Sequence, residues 1–249
     1  MTWDFDTFFT YLFDSRMAWA ALVTFCVAAV AQLLATVVGF VLALGLRSRS
    51  NLLRAPAVAY VWFFRGTPPL IQLLLIYFGL PQLGIRVTVL EAGISSLSLY
   101  GAAYMAEIIR GALASLDPGQ EEAARSIGLS RFETMRSILA PQAARLVLPA
   151  FGNEFTSMMR TTSLLSVISF QELLRVTTLA ISETFRPFEL YSVAAVYYLL
   201  MATLWMVVQD WLERKFGVGM ASAPVRRPIW SDIKRLIRFP RPFSRKITT

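Results

Sequence analysis

The chain has 249 residues, of which 56% are apolar and only 16% charged, with a net charge of +8 and a mean hydropathy of +0.55. A soluble domain carries about 25% charged residues, so charge must be missing from long stretches here, which excludes an ordinary soluble domain. Histidine is absent and Cys26 is the single cysteine, so a disulfide framework, a zinc centre and a His-based acid–base site are all excluded; the sequence offers no metal site.

No charged residue falls between Arg16 and Arg47, between Arg65 and Arg86, or between Glu189 and Asp210. A helix needs about 20 mostly apolar residues to cross roughly 30 Å of hydrocarbon. In chain order, residues 1–18 open with Asp4, Asp6 and Asp14, unlike the basic start of a cleaved signal peptide. The first span is therefore read as a retained helix, from about Trp19 to Leu46. A second runs from about Ala55 to Gly79, broken at Arg65-Gly66-Thr67-Pro68-Pro69. The third covers about Gly93 to Leu113, the fourth about Pro149 to Phe170, and the fifth about Leu190 to Gln209. The expectation is an all-α membrane protein with about five transmembrane helices.

Lys and Arg mark cytoplasmic flanks. Arg47, Arg49 and Arg54 follow the first span; Arg125, Arg131, Arg136 and Arg145 lie between the third and fourth; ten Lys or Arg against three acids follow from Asp210 onward. A periplasmic amino terminus and a cytoplasmic carboxyl terminus satisfy all of these, and five spans supply the odd number required. Cytoplasmic flanks of membrane proteins are basic as a rule, so the charge is no sign of a nucleic-acid partner. In the tail, residues 217–249, Ile229, Trp230, Ile233, Leu236 and Ile237 recur at helical spacing among Lys234, Arg235 and Arg238. The tail is either a short basic helix on an anionic leaflet, with membrane lipids as partners, or disordered.

Residues 115–148 are too polar to span and too patterned for a linker. Asp117-Pro118-Gly119 starts a helix whose positive end suits Glu121 and Glu122, and Gly128 ends it. Ser130 caps the next helix with Glu133 three residues on, and Pro141 closes or kinks that one. Ala123 and Ala124 leave a smooth surface for another protein.

Glu122-Ala123-Ala124, then Gly128, Ile138 and Pro141 at their spacing, resembles the cytoplasmic "EAA" loop of bacterial ABC importer permeases; Ala140 stands where the leucine before the proline is usual. Phe64-Arg65-Gly66-Thr67-Pro68-Pro69-Leu70-Ile71-Gln72, the run Tyr104 to Gly111, Gly152-Asn153-Glu154-Phe155 and the run Thr184 to Glu189 are similar to the polar amino acid branch of that family. Arg160-Thr161-Thr162-Ser163 departs from that branch's usual segment. The resemblance covers residues 18–216 and implies the type I ABC importer permease fold in a multi-pass protein of the bacterial inner membrane. It implies a second permease subunit, identical or related, two ABC ATPase subunits and a periplasmic substrate-binding protein that delivers an amino acid, basic or otherwise polar, or a compound such as an opine. Glu121, Glu122, Ala123, Ala124 and Gly128 would dock on the ATPase. No Gly-rich loop ending in Gly-Lys-Ser/Thr occurs, so the chain is read as a transport subunit, no enzyme itself and without a cofactor; ATP and Mg are held by the partner ATPase.

The broken second span, with Arg65, Gly66, Thr67 and Pro68, either lines a substrate path or is a structural kink. Glu107, Glu154 and Arg160 fall in or at the ends of spans, where an unpaired charge costs roughly 3 kcal/mol. Arg160, Thr162 and Ser163 can meet a substrate carboxylate and Glu107 or Glu154 a cationic side chain, or the charges only neutralise one another. A channel or secondary transporter without ATP, and a membrane scaffold subunit, are the competing classes.

Overall fold

The computed structural model describes residues 3–216. The tail from residue 217, read above as interfacial or disordered, lies outside them. Among the described residues every regular element is helical.

The amino-terminal segment forms α1 (Phe5–Leu12), capped by Asp4, which accepts the Thr7 N–H at 3.1 Å. Asp14 then caps α2 (Ser15–Arg47). With 33 residues, α2 is about 50 Å long at 1.5 Å per residue, enough to cross the bilayer and protrude. It begins four residues before Trp19 because Asp14 supplies the cap and because Ser15 to Ala18 continue the helix. Asn51–Gly66 forms α3; a break at Thr67 and Pro68 precedes α4 (Pro69–Leu74), a π turn (Leu75–Gly79) and the short α5 (Leu80–Gln82). The capping box of Thr88 and Glu91 starts α6 (Val89–Ala114).

The polar loop holds α7 (Pro118–Ser126) and α8 (Arg131–Thr134). A second π turn (Met135–Leu139) carries α8 directly into α9 (Ala140–Thr161), so Pro141 does not close the loop's second helix. A 3-10 turn (Thr162–Ile168), α10 (Leu173–Thr184) and α11 (Pro187–Phe216) complete the described chain. Each π turn ends two residues before a proline, Pro81 and Pro141. A proline ring collides with the carbonyl four residues back and has no N–H to offer it; the wider turn moves that carbonyl away, and the Ala140 N–H reaches back to Met135 O.

α2 and α6 form the centre of the bundle. Ala28, Ala31, Ala35 and Ala43 of α2 and Ala102, Ala103 and Ala106 of α6 have no exposed surface. At Gly39 an added Cβ would stand 2.6 Å from Met105 Cβ and 3.0 Å from the Ala102 carbonyl oxygen. Small residues at one face let two backbones approach closely, which is how helices gain packing energy where lipid removes the hydrophobic drive.

Two helices are by themselves long and apolar enough to cross a membrane, α2 and α11. Two bent pairs reach that standard together: α3 with Pro69–Gln82, at 109°, and Arg131–Ile168 with α10, at 50°. α6 has the length, 26 residues, but carries Glu91, Glu107 and Arg110, and it lies in the middle of the packing where lipid does not set its composition.

Candidate functional site

Two surfaces carry the residues singled out in the sequence. The first is the polar loop. Asp117 caps α7 by accepting the Gly119 N–H at 2.8 Å, and Gly128 ends the turn at φ 87°, a conformation glycine adopts without cost. Ser130 and Glu133 form a reciprocal capping box at 3.2 and 2.8 Å. The loop is fastened to the bundle on one side: Glu121 lies 3.9 Å from Arg47 at the end of α2, and Gln142 of α9 donates to Gln120 at 3.4 Å. Ala124 faces inward, 2% exposed, so it seats α7 on the bundle and is not part of the outer face. Glu122, Ala123 and Gly128 are exposed. Beside them stand Ile127 and Phe132, 77% and 71% exposed, on either side of the Gly128 turn. The sequence reading passed over both, although large apolar residues in so polar a segment were the available signal.

The second surface is a half-buried polar face on α6. Tyr100, Tyr104 and Glu107 recur on one side of α6 at spacings of four and three. The Tyr100 and Tyr104 rings are 4.9 Å apart, and the Arg65 guanidinium from the end of α3 lies 5.5 Å from the Tyr104 centroid. Glu107 pairs with Arg110 at 2.7 Å and also feels the charge of Arg65. From α9, Glu154 stands half-buried within electrostatic reach of Tyr100, with no ion pair among the described residues. The structure therefore brings Arg65, Glu107 and Glu154 to one region together with two tyrosines.

Arg160, Thr162 and Ser163 are elsewhere, at the far end of α9. Arg160 is exposed and its Nε–H donates to Thr156 O at 3.3 Å. Thr162 is fully buried with its hydroxyl spent on Met159 O at 2.7 Å, and Ser163 donates to Arg160 O at 2.7 Å.

The break at Gly66, Thr67 and Pro68 is chemically completed by a residue not assigned in the sequence. Pro68 has no N–H for the Phe64 carbonyl. Gln72, 2% exposed, folds back and donates its amide to Phe64 O at 2.9 Å, Thr67 O at 3.0 Å and Thr67 Oγ1 at 2.8 Å. The 109° turn is thus a built corner in which the Gln72 amide N–H groups serve the freed backbone carbonyls, while the Gln72 Oε1 is buried without a partner among the described residues.

A third contact ties α9 to α11. The Trp205 indole N–H donates to Gly152 O at 2.9 Å, and the Gln209 side chain fills the space a Cβ on Gly152 would need.

Comparison with known proteins agrees with this architecture. The chain is 39% identical over 195 residues to the probable amino-acid permease protein YxeN of Bacillus subtilis, covering 77% of this chain and 87% of that protein. It is 36% identical over 230 residues to the arginine transport system permease protein ArgU of Corynebacterium glutamicum, covering 86% and 72%. A chain of an amino acid ABC transporter crystallised with histidines superposes with a TM-score of 0.78 at 37% identity, covering 86% of this chain and all of that one. Residues 35–218 match one family over their whole length, and on that match, with the helical fold and the loop described above, the chain belongs to the binding-protein-dependent transport system inner membrane components.

Proposed function

We propose that this chain is the permease subunit of an ABC importer that carries a basic amino acid across the inner membrane. The observation that carries the substrate class is the face of Tyr100 and Tyr104 on α6, with Glu107 one turn on and Glu154 within electrostatic reach of Tyr100 from α9; among the described residues only Glu107 has a pairing arginine. A carboxylate without a partner at membrane depth costs several kcal/mol and is kept where something cationic visits it, and tyrosine faces favour a passing cation. The relative named for arginine and the transporter crystallised with histidines support this reading.

In the proposal five spans cross the membrane: α2, α3 with its corner, α6, α9 with the 3-10 turn, and α11. The amino terminus is periplasmic and residue 216 cytoplasmic. The side-chain contacts support this arrangement, because Asp4, Arg186 and Glu189 meet at one end while Arg47 meets Glu121 of the polar loop at the other. Arg65, Gly66, Thr67 and Pro68 place the corner beside the path. Arg160 and Ser163 lie farther along α9 for the substrate carboxylate; Thr162 serves only to shape that turn.

The exposed side of the loop, Glu122, Ala123 and Gly128 with Ile127 and Phe132, takes the ATPase, while Glu121 and Ala124 hold the loop to the bundle. A second permease subunit, two ATPase subunits and a periplasmic binding protein complete the machine. This chain binds no cofactor; ATP and Mg belong to the ATPase. Closure of the ATPases moves the loop, and rigid-body motion of the helices alternates access to the path.

The test is reconstitution with the ATPase and binding protein encoded beside it and uptake of labelled arginine, glutamine and glutamate. Uptake of arginine that needs ATP, and that falls at least tenfold in Glu154→Gln with the subunits still assembled, is the expected result. Uptake without ATP, or arginine uptake unchanged in that variant, contradicts the reading.

A further inference from the structure

A cavity of about 620 Å³ opens between α2 and α10, remote from both surfaces described above. Its walls are apolar: Met17 and Ala20 of α2, Leu90 of α6, and Val176, Leu179 and Ala180 of α10. The volume falls within the range of about 300–1,000 Å³ typical of small-molecule sites. Along α2 the lining runs from Asp14 to Val23, a depth of about 13 Å at 1.5 Å per residue. With Trp19 at the interface, where tryptophans collect, the charged rim stands at headgroup level and the apolar end of the cavity reaches into the leaflet in which α2 starts, whose hydrocarbon is about 15 Å deep. Trp19 borders it and, with Leu22, points outward, 67% and 50% exposed, as lipid-facing residues do.

The rim is charged where the walls are not. Arg16 clasps Asp14 through Nη2 at 2.8 Å and Nε at 3.0 Å, and its guanidinium lies 5.9 Å from the Tyr11 ring. The Arg16 side chain is still 62% exposed. Glu183 of α10 lines the same rim, exposed, without an ion pair among the described residues, and its charge reaches Arg16. Two carboxylates against one guanidinium leave the rim net negative, with one cationic edge free.

We propose that this cavity is a binding site for one aminophospholipid of the outer leaflet, a zwitterion of the phosphatidylethanolamine class. An acyl chain fills the apolar space beside Ala20 and Leu179. The lipid phosphate meets the free edge of Arg16, and its ammonium donates to Glu183. An anionic lipid such as phosphatidylglycerol brings no ammonium for Glu183 and meets net negative charge. Phosphatidylcholine carries a cation without an N–H to donate. The site rests on the proposed orientation, with the start of α2 on the periplasmic side, and not on the transported substrate.

The experiment is native mass spectrometry of the assembled transporter released from vesicles of equal parts phosphatidylethanolamine, phosphatidylglycerol and phosphatidylcholine. The expected result is phosphatidylethanolamine retained after annular lipid is stripped, at one molecule per copy of this chain. Glu183→Gln lowers its retention at least threefold, and Leu179→Trp, which narrows the cavity from a partly exposed position, abolishes it. A benzophenone residue at position 179 crosslinks to lipid. Equal retention of the three lipids, retention unaffected by both variants, or a crosslink from position 179 to another protein chain overturns the proposal.

Discussion

Gly152 shows how one absent side chain organises a helix pair. The Gln209 amide occupies the space a methyl group would need, and Trp205 donates to the same residue's carbonyl. Gly152→Ala should therefore displace Gln209 and cost about 1–3 kcal/mol, the usual range for overpacking. Unfolding in detergent, followed by Trp205 fluorescence, reads both the destabilisation and the altered indole environment. Gln72 is the converse case, a side chain that substitutes for missing backbone donors. Gln72→Leu keeps the volume and strands the Phe64 carbonyl, with an expected loss of about 1–3 kcal/mol; a variant as stable as the parent would show that the corner does not need this amide. On the loop, Ile127→Ser and Phe132→Ser should each weaken ATPase co-purification at least tenfold with normal insertion, whereas Arg125→Ser, exposed on α7, should change it less than threefold.

At the scale of elements, α1 is pinned to α11 at both ends: the Asp4 N–H donates to Glu189 at 3.0 Å, and the Tyr197 hydroxyl donates to Leu12 O at 2.8 Å. Trp3 packs edge-on against Phe188 with centroids 5.1 Å apart. The Asp4 carboxyl is held below its ordinary value of 3.8, chiefly by the Thr7 N–H and hydroxyl, with Arg186 adding to the effect. A depressed folded value means the carboxylate stabilises the docked helix above pH 3.8 and that this contribution disappears as pH falls through the lower folded value. Trp3 fluorescence should stay constant from pH 7 to about pH 5 and change only under stronger acid, a transition that Asp4→Asn removes.

The elements also show what a single sequence discloses. Long uncharged runs, the Pro68-Pro69 break and the Ser130 capping box were legible because hydropathy, a missing N–H and a short-range hydrogen bond are local properties. α10 was not, since Arg175, Thr177, Thr178 and Ser182 dilute its apolarity below that of a span while its partners lie on α2 and α11. The seam of Ala28, Ala31, Ala35, Gly39 and Ala43 reads along the chain as general apolarity; only the facing helix reveals it as a contact. In the same way Glu107 and Glu154 were visible as costly charges, but their meeting with Tyr100 and Tyr104 depends on how three helices cross.

For the whole molecule, the proposed topology makes a simple demand on accessibility. A cysteine at Thr10 should react with a membrane-impermeant maleimide added from outside intact cells, and one at Ser126 only after the membrane is opened, with Cys26 replaced by Ala in both. The reverse pattern would invert the orientation.

From Arg131 to Thr161 the backbone is helical without interruption; α11 grips it from Pro149 to Phe155, around Gly152, and α2 and α6 pack on it as well. A bar that pivots at this grip would act as a lever with its fulcrum at Gly152. Arg131 lies about 31 Å from Gly152 and Arg160 about 12 Å on the other side, at 1.5 Å per residue. A stroke delivered at the loop would then emerge at the far end reversed and geared down to about two fifths. Spin labels at positions 132 and 160, measured against α2 through an ATP cycle, should report opposite displacements in that ratio; equal displacements in one direction would mean the bar slides instead of tilting.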